Sequence, residues 1–211
     1  MPAEKTSKIK NIFQILAFAF FAYWLKYILC VKVKNVGIIK IKKPFIVVSN
    51  HVSRLDPFLI LSALGWKNFI AANPWRFPLH KIYADSWWLG PTSRLIGCYK
   101  IEGKGDLTRS LESTFNVIDN SYSLIFFPEG QTVKKGQKVP LKKGIGYICE
   151  HKNINILPVK ITSENFKENK KARLWHLGVT FGQIINSRDL RKQNGLENLH
   201  LGIMEKVKSL N

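Results

Sequence analysis

His51 and Asp56 stand five residues apart in the stretch Val47-Val48-Ser49-Asn50-His51-Val52-Ser53-Arg54-Leu55-Asp56-Pro57-Phe58. When a tight connection folds an imidazole and a carboxylate together, the carboxylate holds one ring nitrogen. The other nitrogen is then left to accept a proton. An imidazole oriented in this way serves as a general base. It needs no Ser or Cys nucleophile beside it, because it can activate an external alcohol. The same residues also fit a plainer reading, with Asp56 capping a helix and His51 an ordinary turn residue.

Two elements must hold this pair. The apolar run Phe45 to Val48 reads as a short buried strand. Asp56-Pro57 then opens an apolar segment as a helix cap followed by Pro at the first helical position, giving a helix over Pro57–Leu64. Beyond them, strand-like and helix-like stretches alternate. Val36–Ile41, Asn68–Ala72, Gly97–Ile101, Ser123–Phe127, Ile154–Ile161 and Arg173–Phe181 read as strands. Arg76–Ile96 reads as helical in pieces, with Trp87-Trp88 serving either core packing or an apolar acyl slot. Asp106–Asn120, the stretch from Lys142-Lys143-Gly144 to Glu150, and Glu197–Leu210 read as helices, the first opened by an acidic cap. Ser163–Lys171 is a polar connection. This alternation implies an α/β fold with a mixed, largely parallel sheet flanked by helices.

From Ile12 to Val31 the chain is strongly apolar, interrupted only by Gln14 and Lys26. About 20 such residues are enough helix to cross a bilayer core. Trp24 and Tyr27 suit the headgroup level, and Lys26 can snorkel. No small-residue cleavage site follows, so the stretch reads as a membrane anchor, spanning or embedded in one leaflet, rather than a signal peptide, with a buried core helix as the alternative. Residues 1–35 are therefore a basic segment plus an N-terminal hydrophobic membrane-anchoring helix, and 36–211 form one domain. Lys32, Lys34, Lys40, Lys42 and Lys43 follow the anchor, which puts that domain on the cytoplasmic face of the membrane.

The formal net charge is +19, from 33 Lys and Arg against 14 acidic residues. Such a balance calls for an anionic partner: nucleic acid, an anionic membrane surface or an acidic carrier protein. No nucleic-acid-binding fold signature is present, and the lysines are spread along the chain. Cys30, Cys98 and Cys149 are odd in number and far apart, which fits reduced thiols and neither a disulfide framework nor a zinc site.

Four stretches together resemble the glycerolipid acyltransferases of the 1-acylglycerol-3-phosphate acyltransferase type. Asn50-His51-x-Ser53-x-x-Asp56 matches the first motif of that family. Gly97-Cys98-Tyr99-Lys100-Ile101-Glu102 resembles the second, Phe127-Pro128-Glu129-Gly130 the third and Leu157-Pro158-Val159 the fourth. Val179, Phe181, Gly182 and Ile184 look like the closing strand and turn. Order and spacing agree from about residue 36 to 185. The resemblance implies a membrane-associated enzyme that moves a fatty acyl group from acyl-CoA or an acyl carrier protein thioester to a lysophospholipid hydroxyl. The acceptor it implies is 1-acylglycerol-3-phosphate, giving phosphatidic acid.

In that reading His51 is the base and Asp56 its orienting partner, with no metal and no cofactor beyond the thioester co-substrate. Glu129, Gly130, Gln131, Thr132, Lys104 and Lys134 form the acceptor side. Two departures matter. Gly103 stands where the second motif usually ends in a basic residue, and Gln131-Thr132 stand where the third usually continues Thr-Arg. A guanidinium grips phosphate bidentately; here Lys104, Lys134 or Lys135 must supply point charges, or the acceptor's phosphate is masked or missing. A basic rim at Lys134, Lys135, Lys142 and Lys143 would attract acyl carrier protein or the phosphates of coenzyme A. Two other classes of function stay open. One is a non-catalytic scaffold binding anionic lipid or nucleic acid; the other is a hydrolase with water as acceptor. Product analysis separates them.

Overall fold

The computed structural model describes residues 8–28, 31–39, 41, 43–87, 89–101, 106–134, 136–163, 177–195 and 198–211. In chain order they form α1 (Lys8–Ile28), β1 (Lys32–Lys34), β2 (Phe45–Ser49), α2 (Asp56–Leu64), α3 (Trp66–Ala72) and β3 (Trp75–His80). Then come α4 (Lys81–Ala84), α5 (Leu89–Leu95), β4 (Cys98–Ile101), α6 (Leu107–Asp119), β5 (Ser123–Phe126) and α7 (Gly144–His151). The last are β6 (Asn155–Ser163), β7 (Leu177–Phe181), β8 (Ile185–Asn186), α8 (Ser187–Asn194) and α9 (Leu199–Lys208).

The strands build one eight-stranded sheet in the order β1-β7-β6-β2-β5-β3-β4, with β8 also paired to β6. Pairs β1–β7, β2–β6, β2–β5, β3–β5 and β3–β4 are parallel. β6 meets β7 and β8 antiparallel. The sheet is thus mixed and largely parallel, with helices on both faces. β2 shows why. Phe45 and Val47 join a core with α2 and α3, whereas Ile46 and Val48 join a second core with α6, α7 and α9. A strand covered on both faces needs apolar residues at every position, so it reads as an unbroken run rather than an alternation.

Three elements differ from their sequence pattern. Asn68–Ala72 lies in helix α3 rather than a strand: Gly65, at φ 79°, ends α2, and a new helix buries Phe69 and Ala72 three residues apart. Arg76–Ile96 begins as strand, since Trp75–His80 forms β3 between β5 and β4; only then do the short helices α4 and α5 follow. Instead of a strand over Val36–Ile41, the edge strand is the exposed Lys32–Lys34, and Val36–Ile38 forms a single 3-10 turn. The strand read as Arg173–Phe181 is observed as Leu177–Phe181, residues 173–176 lying outside those described.

The N-terminal segment requires the largest correction. No helix among the described residues is long and apolar enough to cross a membrane. Instead α1 packs along α2 and touches α5. Phe18 is buried against Phe58, Phe69 and Phe77, with ring centroids 5.7, 5.3 and 5.8 Å away. Gln14, which interrupts the apolar run, is the inward anchor. Its Nε2 donates to the carbonyls of Trp75 and Ile96, both at 2.9 Å, and its Oε1 accepts from Trp75 N–H at 3.3 Å. Gly97 makes room for this contact. Its φ is 96°, and a Cβ there would lie 2.5 Å from Gln14 Nε2 and 2.6 Å from the Trp75 carbonyl oxygen. The other face of α1 presents Ile12, Leu16, Phe20 and Trp24 to solvent, a stripe at four-residue spacing, with Phe13 exposed beside it.

Candidate active site

β2 and β5 run side by side and parallel, with Val48 in register with Phe126. Their outgoing loops therefore leave the same edge of the sheet, the carboxyl end where open α/β sheets hold their ligands. The first loop carries Asn50 to Leu55. Asn50 fastens it to β6 through both polar atoms: Nδ2 donates to the Ile161 carbonyl at 2.9 Å, and Oδ1 accepts from Ile161 N–H at 2.8 Å.

Within that loop the structure brings His51 and Asp56 together. His51 Nδ1 lies 2.8 Å from Asp56 Oδ2. The same oxygen accepts the backbone N–H groups of Val52 at 2.7 Å and Ser53 at 2.8 Å. Asp56 thus begins α2 but turns its carboxylate back onto the preceding loop instead of capping its own helix. Its side chain is 1% exposed, and Oδ1 is buried with no hydrogen-bond partner among the described residues. Three donors on one oxygen lock the carboxylate, and the carboxylate locks the ring. With the Nδ1 proton donated to Asp56, Nε2 is the nitrogen left for a substrate proton. The ring also stacks on Phe127, centroids 4.1 Å apart and planes at 15°.

The second loop reaches the main chain of His51. Glu129 Oε2 accepts from His51 N–H at 2.6 Å, and Val133 N–H donates to the His51 carbonyl at 2.7 Å. Burial pushes the Glu129 pKa up, against the opposing pull of the hydrogen bond from His51 N–H. An open cleft of about 460 Å³ lies here, lined by His51, Glu129 and Lys134 with apolar contributions from Val52, Val133 and Ile161.

The remaining residues named from sequence fall into three groups. Gly130 sits in the turn beside Glu129 at φ 64°, and the Lys142 side chain packs directly on it. A Cβ at Gly130 would lie 2.5 Å from Lys142 Cε. The side chains of Gln131 and Thr132 are exposed and do not line the cleft. Lys104 lies outside the described residues, as do Gly103, Lys135, Trp88 and Cys30. Burial pushes the thiols of Cys98 and Cys149 up to about 12, which keeps them protonated and poorly nucleophilic.

Asn50, Phe127 and Val133 complete the site without having been assigned a role from sequence. Asn50 carried a weak signal, as a polar residue ending a buried strand just before the His. Phe127 stood in the third matched motif, but an aromatic at the exit of an apolar strand looks like core and suggested no role in the site.

These features agree with what the chain is similar to. The family described as Acyltransferase matches residues 30–162, more than half of the sequence. A Mycoplasma pneumoniae protein named "Probable 1-acyl-sn-glycerol-3-phosphate acyltransferase" is 28% identical over 169 residues, 79% of this chain and 60% of that one. A Mycoplasma genitalium protein of the same name is 29% identical over 194 residues, 85% of this chain and 68% of that one. This chain thus matches about three fifths to two thirds of the length of these relatives. In three dimensions it resembles the crystal structure of the 1-acyl-sn-glycerophosphate (LPA) acyltransferase PlsC from Thermotoga maritima. The TM-score is 0.62 over 97% of this chain and 85% of that one; at 18% identity the likeness concerns the fold. With its His51–Asp56 pair at the carboxyl edge of the sheet and the family match running through it, the chain belongs to the acyltransferase family.

Proposed function

We propose that the protein transfers a fatty acyl group from a thioester to the hydroxyl of a lysophospholipid, with 1-acylglycerol-3-phosphate as acceptor and phosphatidic acid as product. One observation carries this reading: an imidazole facing an open cleft, held by a buried carboxylate at 2.8 Å through the opposite ring nitrogen. His51 Nε2 takes the acceptor's hydroxyl proton as the oxygen attacks the thioester carbonyl. Asp56 balances the imidazolium that forms. When the tetrahedral species collapses the carbon–sulfur bond breaks, and the imidazolium returns its proton to the departing thiolate. The products are an ester and a free thiol, and no bond to the protein is made.

The acceptor's phosphate meets Lys134 at the cleft, a point charge in place of a bidentate guanidinium. The donor is an acyl-CoA or acyl carrier protein thioester, drawn by the positive field of the chain. The acceptor is a membrane lipid, so the protein works on the cytoplasmic surface of a membrane. The exposed stripe of α1 supports contact with one leaflet.

The test is an acceptor screen with the full chain and radiolabelled acyl-CoA and acyl carrier protein thioesters. Product from lysophosphatidic acid in preference to headgroup-bearing lysophospholipids is expected. Product confined to headgroup-bearing lipids would overturn the acceptor assignment, and free fatty acid alone would make the protein a hydrolase. Lipid binding without any product would leave a non-catalytic scaffold.

A further inference from the structure

A carboxylate is a poor neighbour for a phosphate, yet Glu129 lines the cleft beside Lys134. Its hydrogen bond points elsewhere. At 2.6 Å from His51 N–H it makes a short, charge-assisted contact with the main chain of the base rather than with the ring. The other main-chain group of the same residue is held from the same loop, by Val133 N–H at 2.7 Å. The loop that does this is braced. Gly130 N–H donates to the Phe127 carbonyl at 3.0 Å, Lys142 N–H to the Pro128 carbonyl at 2.8 Å, and the Lys142 side chain rests on Gly130.

We infer that Glu129 is a positioning residue: it clamps the His51 peptide, with Val133 as the second jaw, and so sets where the imidazole meets the acceptor. This rests on the reading of His51 as the base. Phe127 holds the ring and Asp56 holds the ring and the N–H of Val52, but neither bonds the N–H or the carbonyl of His51 itself. A peptide free to tilt would swing the ring about the His51 Cα. A displacement of about 1 Å at the reacting atom costs on the order of 10²-fold in rate. What the clamp requires of Glu129 is an acceptor oxygen at the right distance, which a glutamine also carries; it does not require the negative charge.

The experiment compares Glu129→Ala and Glu129→Gln with the wild-type chain in steady-state transfer to lysophosphatidic acid, with His51→Ala as control. Glu129→Ala is expected to lower kcat by about 10²-fold with the acceptor KM within about threefold. Glu129→Gln is expected to recover kcat to within about fivefold of wild type, also at unchanged KM; its shape makes it informative even if the Ala variant does not fold. Glu129→Gln falling as far as Glu129→Ala, or a tenfold rise in acceptor KM in the Gln variant, would overturn the clamp and give the charge a direct role. A His51→Ala variant that keeps its activity would remove the base assignment instead.

Discussion

At the scale of single residues, the site depends on a sharing of labour around one histidine. Asp56 takes the ring and two loop N–H groups on one oxygen; Glu129 and Val133 take the peptide. Asp56→Asn tests the first part. An amide oxygen can still accept all three donors, but it carries no charge to balance an imidazolium. The amide nitrogen would also occupy the place of Oδ1, which has no partner among the described residues. We expect kcat to fall by at least about 10²-fold and stability by about 1–3 kcal/mol, the cost of an unmet buried donor. Denaturant unfolding beside a transfer assay reads both, and wild-type kcat would show that the charge of Asp56 is idle. The pairing of His51 with Asp56 was legible because it is local: five residues and one turn make it. The bond from Glu129 to His51 spans 78 positions and could not be read without knowing that β2 and β5 are neighbours. A motif reading placed Glu129 and Gly130 on the acceptor side, while their observed contacts are with His51 and Lys142.

At the scale of elements, legibility followed burial. β2 and β5 are buried throughout, and their apolar runs announced them. β3 was hidden because Arg76 and Pro78 break its pattern, although Arg76 is largely buried with its guanidinium over the Tyr122 ring. In α1 the apolar run gave the helix but not its partner, since the same residues suit lipid and a protein core alike. Gln14 decides between them in the structure. Gln14→Leu would raise the hydropathy of the segment while leaving Trp75 N–H and the Ile96 carbonyl without their partner. We expect a loss of about 2–3 kcal/mol in global unfolding. An unchanged unfolding curve would mean that α1 is not docked on β3 and α5.

For the whole molecule, the proposed membrane partner would meet both the charge of +19 and the apolar stripe of α1. Lipid seen by both should hold the protein through an electrostatic part that salt screens and an apolar part that it does not. Vesicle co-sedimentation is expected to be stronger on anionic than on neutral lipid, to weaken with added salt, and to drop about tenfold or more on combining Leu16→Ser with Phe20→Ser. Equal binding of this double variant would take the outer face of α1 out of the account.

The most direct test of the central claim is acyl transfer by His51→Ala. Purified wild type and variant would be given a radiolabelled acyl thioester and lysophosphatidic acid, with vesicle binding measured on the same samples. The account predicts a fall of about 10³-fold in transfer with unchanged vesicle binding, since the imidazole is the base and contributes nothing to the lipid-facing surface. Transfer within a few-fold of wild type would contradict it.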